Sequence, residues 1–281
     1  MNAPSLRVVP PSPAGVKPFL RWAGGKRWFV KEYGDDLFEH VCKRGGKYIE
    51  PFLGGASMAL HLGLQGMVLG DVEDDLITLY TTVRDEPELL IAMLGLLADF
   101  GTSKRAYHHV RDLEPRTSIE RAAKVVYLNR LCFNGLYRKN RSGGFNVPYG
   151  GKEKELPSAE RILEVSKALA GSELHRADFG KLIERAGVHD TLYVDPPYDL
   201  TFGDYSSDGF PTAYQERLAL QLQAARARGA DIFAHNADTP LIRKLYHWAT
   251  LIPMPERRAI NSDGQKRGEA SCVLIVSAEN W

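Results

Sequence analysis

Three features of the chain predict an α/β protein built from both ends of the sequence and interrupted by a basic insertion. From Lys47, the stretch KYIEPFLGGASMALHLGLQGMVLGDVEDDLITLY reads as strand, Gly-containing turn, helix, strand and a second helix start. The same alternation resumes near residue 172 and runs to the end of the chain. Between the two the charge balance shifts: Gly101 to Lys154 carries twelve Lys or Arg against four Asp or Glu, and the remaining residues 24 against 31. Alternating strands and helices predict a mostly parallel sheet. The division that follows is an arm at 1–17, one domain from 18–85 and 172–281, and an insertion at 86–171.

The opening MNAPSLRVVPPSPAGVKP has four prolines before Lys17 and no apolar signal core, which predicts a mobile arm and a cytoplasmic protein. In the first α/β stretch YIE is the strand, FLGG the turn, ASMALHLGL a helix, MVLGD the next strand and DDLITLYTTVRD a helix. A small cofactor binds such a unit beyond the carboxyl ends of the strands, where Glu50 and Asp71 stand. Asp71 follows the turn by about twenty residues, the distance at which a carboxylate reaches ribose hydroxyls. The turn lacks the full G-x-G-x-x-G pattern, which disfavours a dinucleotide pyrophosphate and leaves open an adenosine-type cofactor without a phosphate bridge.

Residues 86–132 read as mainly helical. The longest apolar run, Leu89 to Ala98, is shorter than the roughly 18 residues of a membrane span and predicts a buried helix. In ERAAKVVYLNRLC an apolar stripe borders a basic edge. FNGLYRKNRSGGFNVPYGG then predicts a β-hairpin, Leu136 to Asn140 and Phe145 to Tyr149 about RSGG, with Arg138, Lys139 and Arg141 near its tip. A two-stranded ribbon fits the DNA major groove, and a segregated positive surplus suits phosphates. A solvated basic face is the alternative.

The returning part reads as strands ELHRADF and TLYVDPPY, a helix from about Thr212 to Arg228, the strand ADIFAHN, a helix TPLIRKLYHWA and the strand ASCVLIVSA. Three widely spaced cysteines, Cys42, Cys132 and Cys272, fit neither a disulfide framework nor a zinc site. In LYVDPPYDL the apolar strand stops at Asp195, because the two prolines lack the N–H a sheet needs. Each proline fixes its own φ and biases its predecessor toward extended geometry. The Asp195 carboxylate, the Pro196 carbonyl and the Tyr198 ring therefore form a stiff claw of two acceptors and an aromatic plate. A Pro-rich loop is the plain alternative.

Four segments in this order, FLRWAGGK at 19–26, YIEPFLGGASMAL at 48–60, FNGLYRKNRSGGFNVPYG at 133–150 and VDPPY at 194–198, resemble the Dam-type DNA adenine N6-methyltransferases. GDVEDDLI, ADF at 177–179, AHNADTPLIRKLY and ASCVLIVSAEN extend the likeness to nearly everything after the arm. The resemblance implies a Rossmann-like S-adenosylmethionine-dependent methyltransferase fold with a helical and β-hairpin target-recognition insertion. It also implies S-adenosylmethionine as donor, S-adenosylhomocysteine as product and no metal. By motif position Trp22 and Lys26 would close over the methionine part. Glu50, Pro51, Phe52, Gly54 and Gly55 would form its turn, Asp71 would hold the ribose, and Asp178 and Phe179 would flank the adenine. For Trp22 and Phe179 a plain core position is the competing reading.

By the same resemblance Asp195, Pro196, Pro197 and Tyr198 would hold a flipped base, with Asp195 also bordering the cofactor. The amine of adenine is a weak nucleophile, and Asp195 and Pro196 can accept its two hydrogens and favour a pyramidal nitrogen. Arg138 would read a guanine, Asn134 and Leu136 would fill or wedge the disturbed stack, Pro148 would pack on a thymine methyl, Asn140 and Asn146 would touch the DNA backbone, and Arg141 would also bind DNA. That set implies GATC in double-stranded DNA, with adenine as target; the enzyme is further expected to be a monomer, membrane-free and of bacterial or phage origin. The chain departs from the family at Gly151 and Lys152, where a basic–aromatic pair is common, which leaves the outer base pair open. N4 of cytosine, another amino group, or a DNA-binding module without catalysis are the competing functions.

Overall fold

A computed structural model describes residues 12–140, 142–151, 154–198, 210–254, 272–278 and 281. Its contacts group the chain into two compact units: Met1–Gly34, Gly54–Gln65 and Glu73–Leu174 form the first, and Asp35–Leu53, Gly66–Val72 and His175–Trp281 the second.

One sheet carries β1 (Tyr48–Glu50), β2 (Val68–Asp71), β3 (Glu173–Arg176), β4 (Thr191–Val194), β5 (Asp231–Ala237), β6 (Thr250–Met254) and β7 (Cys272–Ser277), in the order β3-β2-β1-β4-β5-β7-β6. β1 runs parallel to both β2 and β4, and β4 parallel to β5. β7 lies antiparallel between β5 and β6. Every residue of β1, β4 and β5 is buried, including the polar Glu50, Asp231, His235 and Asn236, as befits strands at the centre of the sheet. The strand β6, absent from the sequence reading, has a single neighbour and carries Pro253; an edge strand tolerates the missing N–H. The core of the second unit joins Ile49, Val68, Leu192 and Ile232 of the sheet to α8 (Phe179–Ile183), α9 (Thr212–Ala227) and α10 (Pro240–Leu245). The strand order turns from 3-2-1 to 4-5 between β1 and β4, the switch point at which open α/β sheets bind ligands.

The first unit is helical: α2 (Ser57–Leu62), α3 (Asp74–Asp85), α4 (Pro87–Phe100), α5 (Lys104–Asp112), α6 (Ser118–Leu131), a 3₁₀ turn at Phe133–Gly135 and α7 (Ala159–Leu169). Side-chain oxygens of Ser103, Thr117 and Ser158 accept backbone N–H groups at the starts of α5, α6 and α7. Tyr107, Tyr127, Leu131 and Val147 anchor its own core. The expected burial of the Leu89–Ala98 helix is corrected: α4 buries only Pro87, Leu90 and Leu94, and Leu89, Leu96 and Phe100 are 53%, 64% and 53% exposed. α4 meets α3, α6 and α7 chiefly through the stripe of Pro87, Leu90 and Leu94, and its remaining apolar residues are half-buried or exposed. Among the described residues, no helix is long and apolar enough to cross a membrane.

After the 3₁₀ turn the chain doubles back. Cys132 pairs with Tyr149 and Lys139 with Phe145 as isolated antiparallel bridges, so the hairpin is looser than a continuous ribbon. Its tip is shaped by Asn140, whose Oδ1 accepts from the N–H groups of Ser142 at 3.1 Å and Gly144 at 2.8 Å.

Candidate active site

In the second unit the carboxyl ends of β1, β2 and β4 present Glu50, Asp71 and Asp195 along one edge of neighbouring parallel strands. At β4, Asp195 and Tyr198 are half-buried, Pro196 is buried and Pro197 is exposed. Burial, the charge of Asp195 and hydrogen bonds with Cys272 and Asp195 hold the Tyr198 hydroxyl far above its ordinary value. A neutral hydroxyl that donates to Asp195 orients the carboxylate and ties the two ends of the claw together. Behind it the rings of Tyr48 and Tyr193 stack at 6.4 Å, and Tyr48 donates to Glu50 Oε2 at 2.8 Å. Burial and then neighbouring carboxylates, Glu50 for Tyr48 and Asp195 with Glu50 for Tyr193, keep both phenols neutral.

The cofactor positions expected on this unit are laid out around β1 and β2. Pro51 is buried and Phe52 half-buried after β1, and the Leu53 N–H donates to the Gly70 carbonyl at 2.8 Å, closing the start of the turn on β2. Asp71 is half-buried at the end of β2. Asp178 caps α8 by accepting from the Gly180 N–H at 2.9 Å and accepts a second bond from Arg217 at 2.6 Å. Phe179 is 4% exposed, stacks on Phe52 at 5.3 Å and lies 4.1 Å from the Arg217 guanidinium. The Phe179 ring is thus already in contact with Phe52 and with Arg217, which is exposed in part and bound to Asp178.

In the first unit Trp22 is half-buried against the glycine turn. A Cβ on Gly54 or Gly55 would stand 3.1 or 3.0 Å from Trp22 atoms, and Gly54 has φ +46°, so the turn admits little else. Lys26 is 7% exposed and donates from Nζ to the Gly24 carbonyl at 2.8 Å, just before α1 (Arg27–Arg44). Trp22 also packs on Tyr137 of the hairpin at 5.0 Å. Asn129, fully buried on α6, accepts from the Arg21 N–H at 2.9 Å and donates to the carbonyls of Arg21 at 2.7 Å and Gly135 at 3.2 Å. The Trp22 loop and the base of the hairpin are thus stitched by one amide that sequence reasoning missed.

Of the positions expected to contact DNA, Asn134, Arg138, Asn140 and Pro148 are exposed, and Leu136 and Asn146 are half-buried. Asn134 takes a left-handed conformation, φ +54°, which asparagine tolerates. Beside it Phe133 is 46% exposed, an aromatic the sequence reading passed over. Arg138 donates from Nε to Asn146 Oδ1 at 2.8 Å, which stiffens the guanidinium near its root. Arg141 lies outside the described residues. Lys139, read as part of a basic tip, is turned inward: its Nζ contacts Glu73 at 2.5 Å and Asp75 at 2.8 Å. Tyr137 donates to Asp75, and Arg121 contacts Asp74 at 2.7 Å and Asp75 at 2.5 Å. Burial alone would raise the Asp75 carboxyl, but hydrogen bonds from Lys139, Tyr137 and Arg121 outweigh it and hold the group below its ordinary range. Part of the basic surplus is therefore spent inside the fold. Among the described residues, no three His, Cys, Asp or Glu side chains gather as a metal site.

A mixed sheet with a parallel centre and a switch point, an acidic residue at each of three strand ends and an Asp-Pro-Pro-Tyr segment after β4 describe a methyltransferase fold. The family model of D12 class N6 adenine-specific DNA methyltransferases matches residues 22–260, and the chain belongs to that family. It is 34% identical to a DNA N-6-adenine-methyltransferase of Escherichia phage P1 over 280 residues, covering 96% of this chain and 36% of the phage protein. This chain thus spans about a third of that relative. The type II methyltransferase M.MjaIII of Methanocaldococcus jannaschii is 32% identical, with 93% of this chain and 98% of that protein covered. The DNA adenine methylase of Escherichia coli K12 is 32% identical, with 92% and 94% covered.

Proposed function

We propose that this enzyme methylates N6 of an adenine flipped out of GATC in double-stranded DNA, with S-adenosylmethionine as donor. The observation that carries the reading is the claw: a carboxylate, a carbonyl and a ring, held at the carboxyl end of β4 beside the switch point.

The residues present suit the donor. Asp71, half-buried at a strand end, has the chemistry for a ribose diol, and the Gly54–Gly55 turn under Trp22 forms a tight cradle without side chains of its own. Glu50, Pro51, Phe52, Trp22 and Lys26 would complete it, with Asp178 and Phe179 at the adenine. When bound, S-adenosylmethionine supplies an electrophilic methyl on sulfur and leaves as S-adenosylhomocysteine.

The claw acts on the amine. The Asp195 carboxylate and Pro196 carbonyl accept its two hydrogens, the nitrogen lone pair is freed from the purine ring, and the Tyr198 ring limits the tilt of the base. Because these groups are placed before substrate arrives, their effect is orientation and electrostatics. As the nitrogen becomes positively charged, Asp195 takes up its proton. Residues 86–171 serve target recognition and residues 18–85 with 172–281 catalysis. In this reading Arg138 contacts a guanine, Asn134 and Leu136 fill the gap in the stack, and Pro148 meets a thymine methyl. Asn140 and Asn146 contact the DNA backbone, and Arg141 also binds DNA. The enzyme works as a cytoplasmic monomer without metal.

The test is transfer from labelled S-adenosylmethionine to two duplexes that differ only in one GATC, followed by nucleoside analysis. N6-methyladenine on the GATC duplex alone is the expected result. Label on both duplexes overturns the site, label on cytosine overturns the target base, and no label overturns the activity.

A further inference from the structure

Gln215 breaks an apolar pattern. α9 buries Gln215, Leu218, Ala219, Leu222 and Ala225, a stripe at helical spacing, and its first member is a carboxamide with 0% exposure. Gln215 Nε2 donates to the Pro197 carbonyl at 3.0 Å, and Gln215 Oε1 accepts from Asn236 Nδ2 of β5 at 3.0 Å. Asn236, also fully buried, accepts on Oδ1 from the Ala237 N–H at 2.9 Å. The relay is polar in one direction only. At one end a backbone N–H can only donate, at the other a carbonyl can only accept, so neither amide can flip without breaking two bonds.

We propose that Gln215, oriented by Asn236, is a positioning residue for methyl transfer. It fixes ψ of Pro197 and with it the plane of the peptide that carries Tyr198. The inference rests on reading Asp195–Tyr198 as the element that holds the target amine. The two prolines fix φ at 196 and 197 and leave ψ to be set by the surroundings. For Pro197, an exposed residue, that setting comes from a buried donor on α9. A residue needed only to fill space at this position of the stripe would be apolar. A carboxamide there has to find partners, and both of its ends do.

Three variants test this. Gln215→Met keeps length and packing and removes the donor. Its single-turnover methyl transfer at saturating cofactor and DNA should fall about tenfold, the scale of one lost buried hydrogen bond. Affinity for S-adenosylhomocysteine should stay within about twofold, because the loss falls on kcat and not on cofactor binding. Gln215→Glu carries the sharper signature. A protonated carboxyl donates and accepts as the carboxamide does, whereas the ionised form sets a charge against the Pro197 carbonyl. Burial raises the pKa of the introduced group. The rate of this variant relative to wild type should therefore recover as pH is lowered from 8 to 6, by about the factor lost at the higher pH. Asp195→Ala is run beside them. Should it be inactive while Gln215→Met keeps the wild-type rate and Gln215→Glu the wild-type pH profile, the positioning role is wrong and the claw stands. Should Asp195→Ala remain active, the claw reading fails and this inference with it. If Gln215→Met does not fold, the pH recovery of Gln215→Glu decides.

Discussion

The claw after β4 and the hairpin after the 3₁₀ turn are held by different physics. The claw rests on neutral groups: two prolines, a buried carboxamide on the Pro197 carbonyl, and phenols kept protonated by burial and nearby carboxylates. The hairpin is clamped by charge, with Lys139, Tyr137 and Arg121 converging on Glu73, Asp74 and Asp75 at the start of α3. Neutral buried contacts are stiff and indifferent to salt. Partly exposed ion pairs are screened and adjustable. The element assigned to the reaction is thus built to hold still, and the element assigned to reading sequence is built to give.

Disturbing the hairpin should sharpen that contrast. Arg138→Ala should lower discrimination at one guanine by roughly 1–3 kcal/mol while binding to random DNA changes little, as a panel of substituted duplexes will show. A uniform loss across sequences would make Arg138 a phosphate contact. Asp75→Asn removes the shared acceptor of the clamp. With side chains 15–32% exposed around it, the cost should be about 1–2 kcal/mol, seen as faster amide exchange in residues 136–149 with none in β4. Acid should act on the same place. Because the folded Asp75 pKa is depressed, its stabilisation is complete above the unfolded value near 3.9 and is lost as pH falls through the lower folded value. Hairpin exchange should accordingly rise below about pH 4, while the phenols around the claw, already protonated, do not respond to acid. The smallest effect is that of salt on cofactor affinity, which should be slight where salt weakens DNA binding steeply.

What could be read from the sequence divides along the same physical line. The βαβ stretch was legible because short apolar runs, each ending in a carboxylate, flank a Gly turn and a helix; β1, β2 and α3 fall where the pattern put them. The claw was legible because Asp-Pro-Pro-Tyr is contiguous. Its support was not, since Gln215 and Asn236 meet Pro197 only through the fold. α1 escaped notice because Gly34 sits within it, and the reason is tertiary: a Cβ there would lie 2.7 Å from the His61 ring. Lys139 looked like surface charge because nothing local marks Glu73 and Asp75 as its partners. The burial of Phe179 between Phe52 and Arg217 was equally hidden, being a contact of residues far apart in sequence.

The most direct test of the account is the single-turnover rate of Asp195→Ala on a GATC duplex at saturating S-adenosylmethionine. The claw predicts a loss of at least about a hundredfold, the scale of removing one preorganised polar group from a reacting centre. A rate equal to that of wild type would contradict it and move the search for the amine-holding group away from β4.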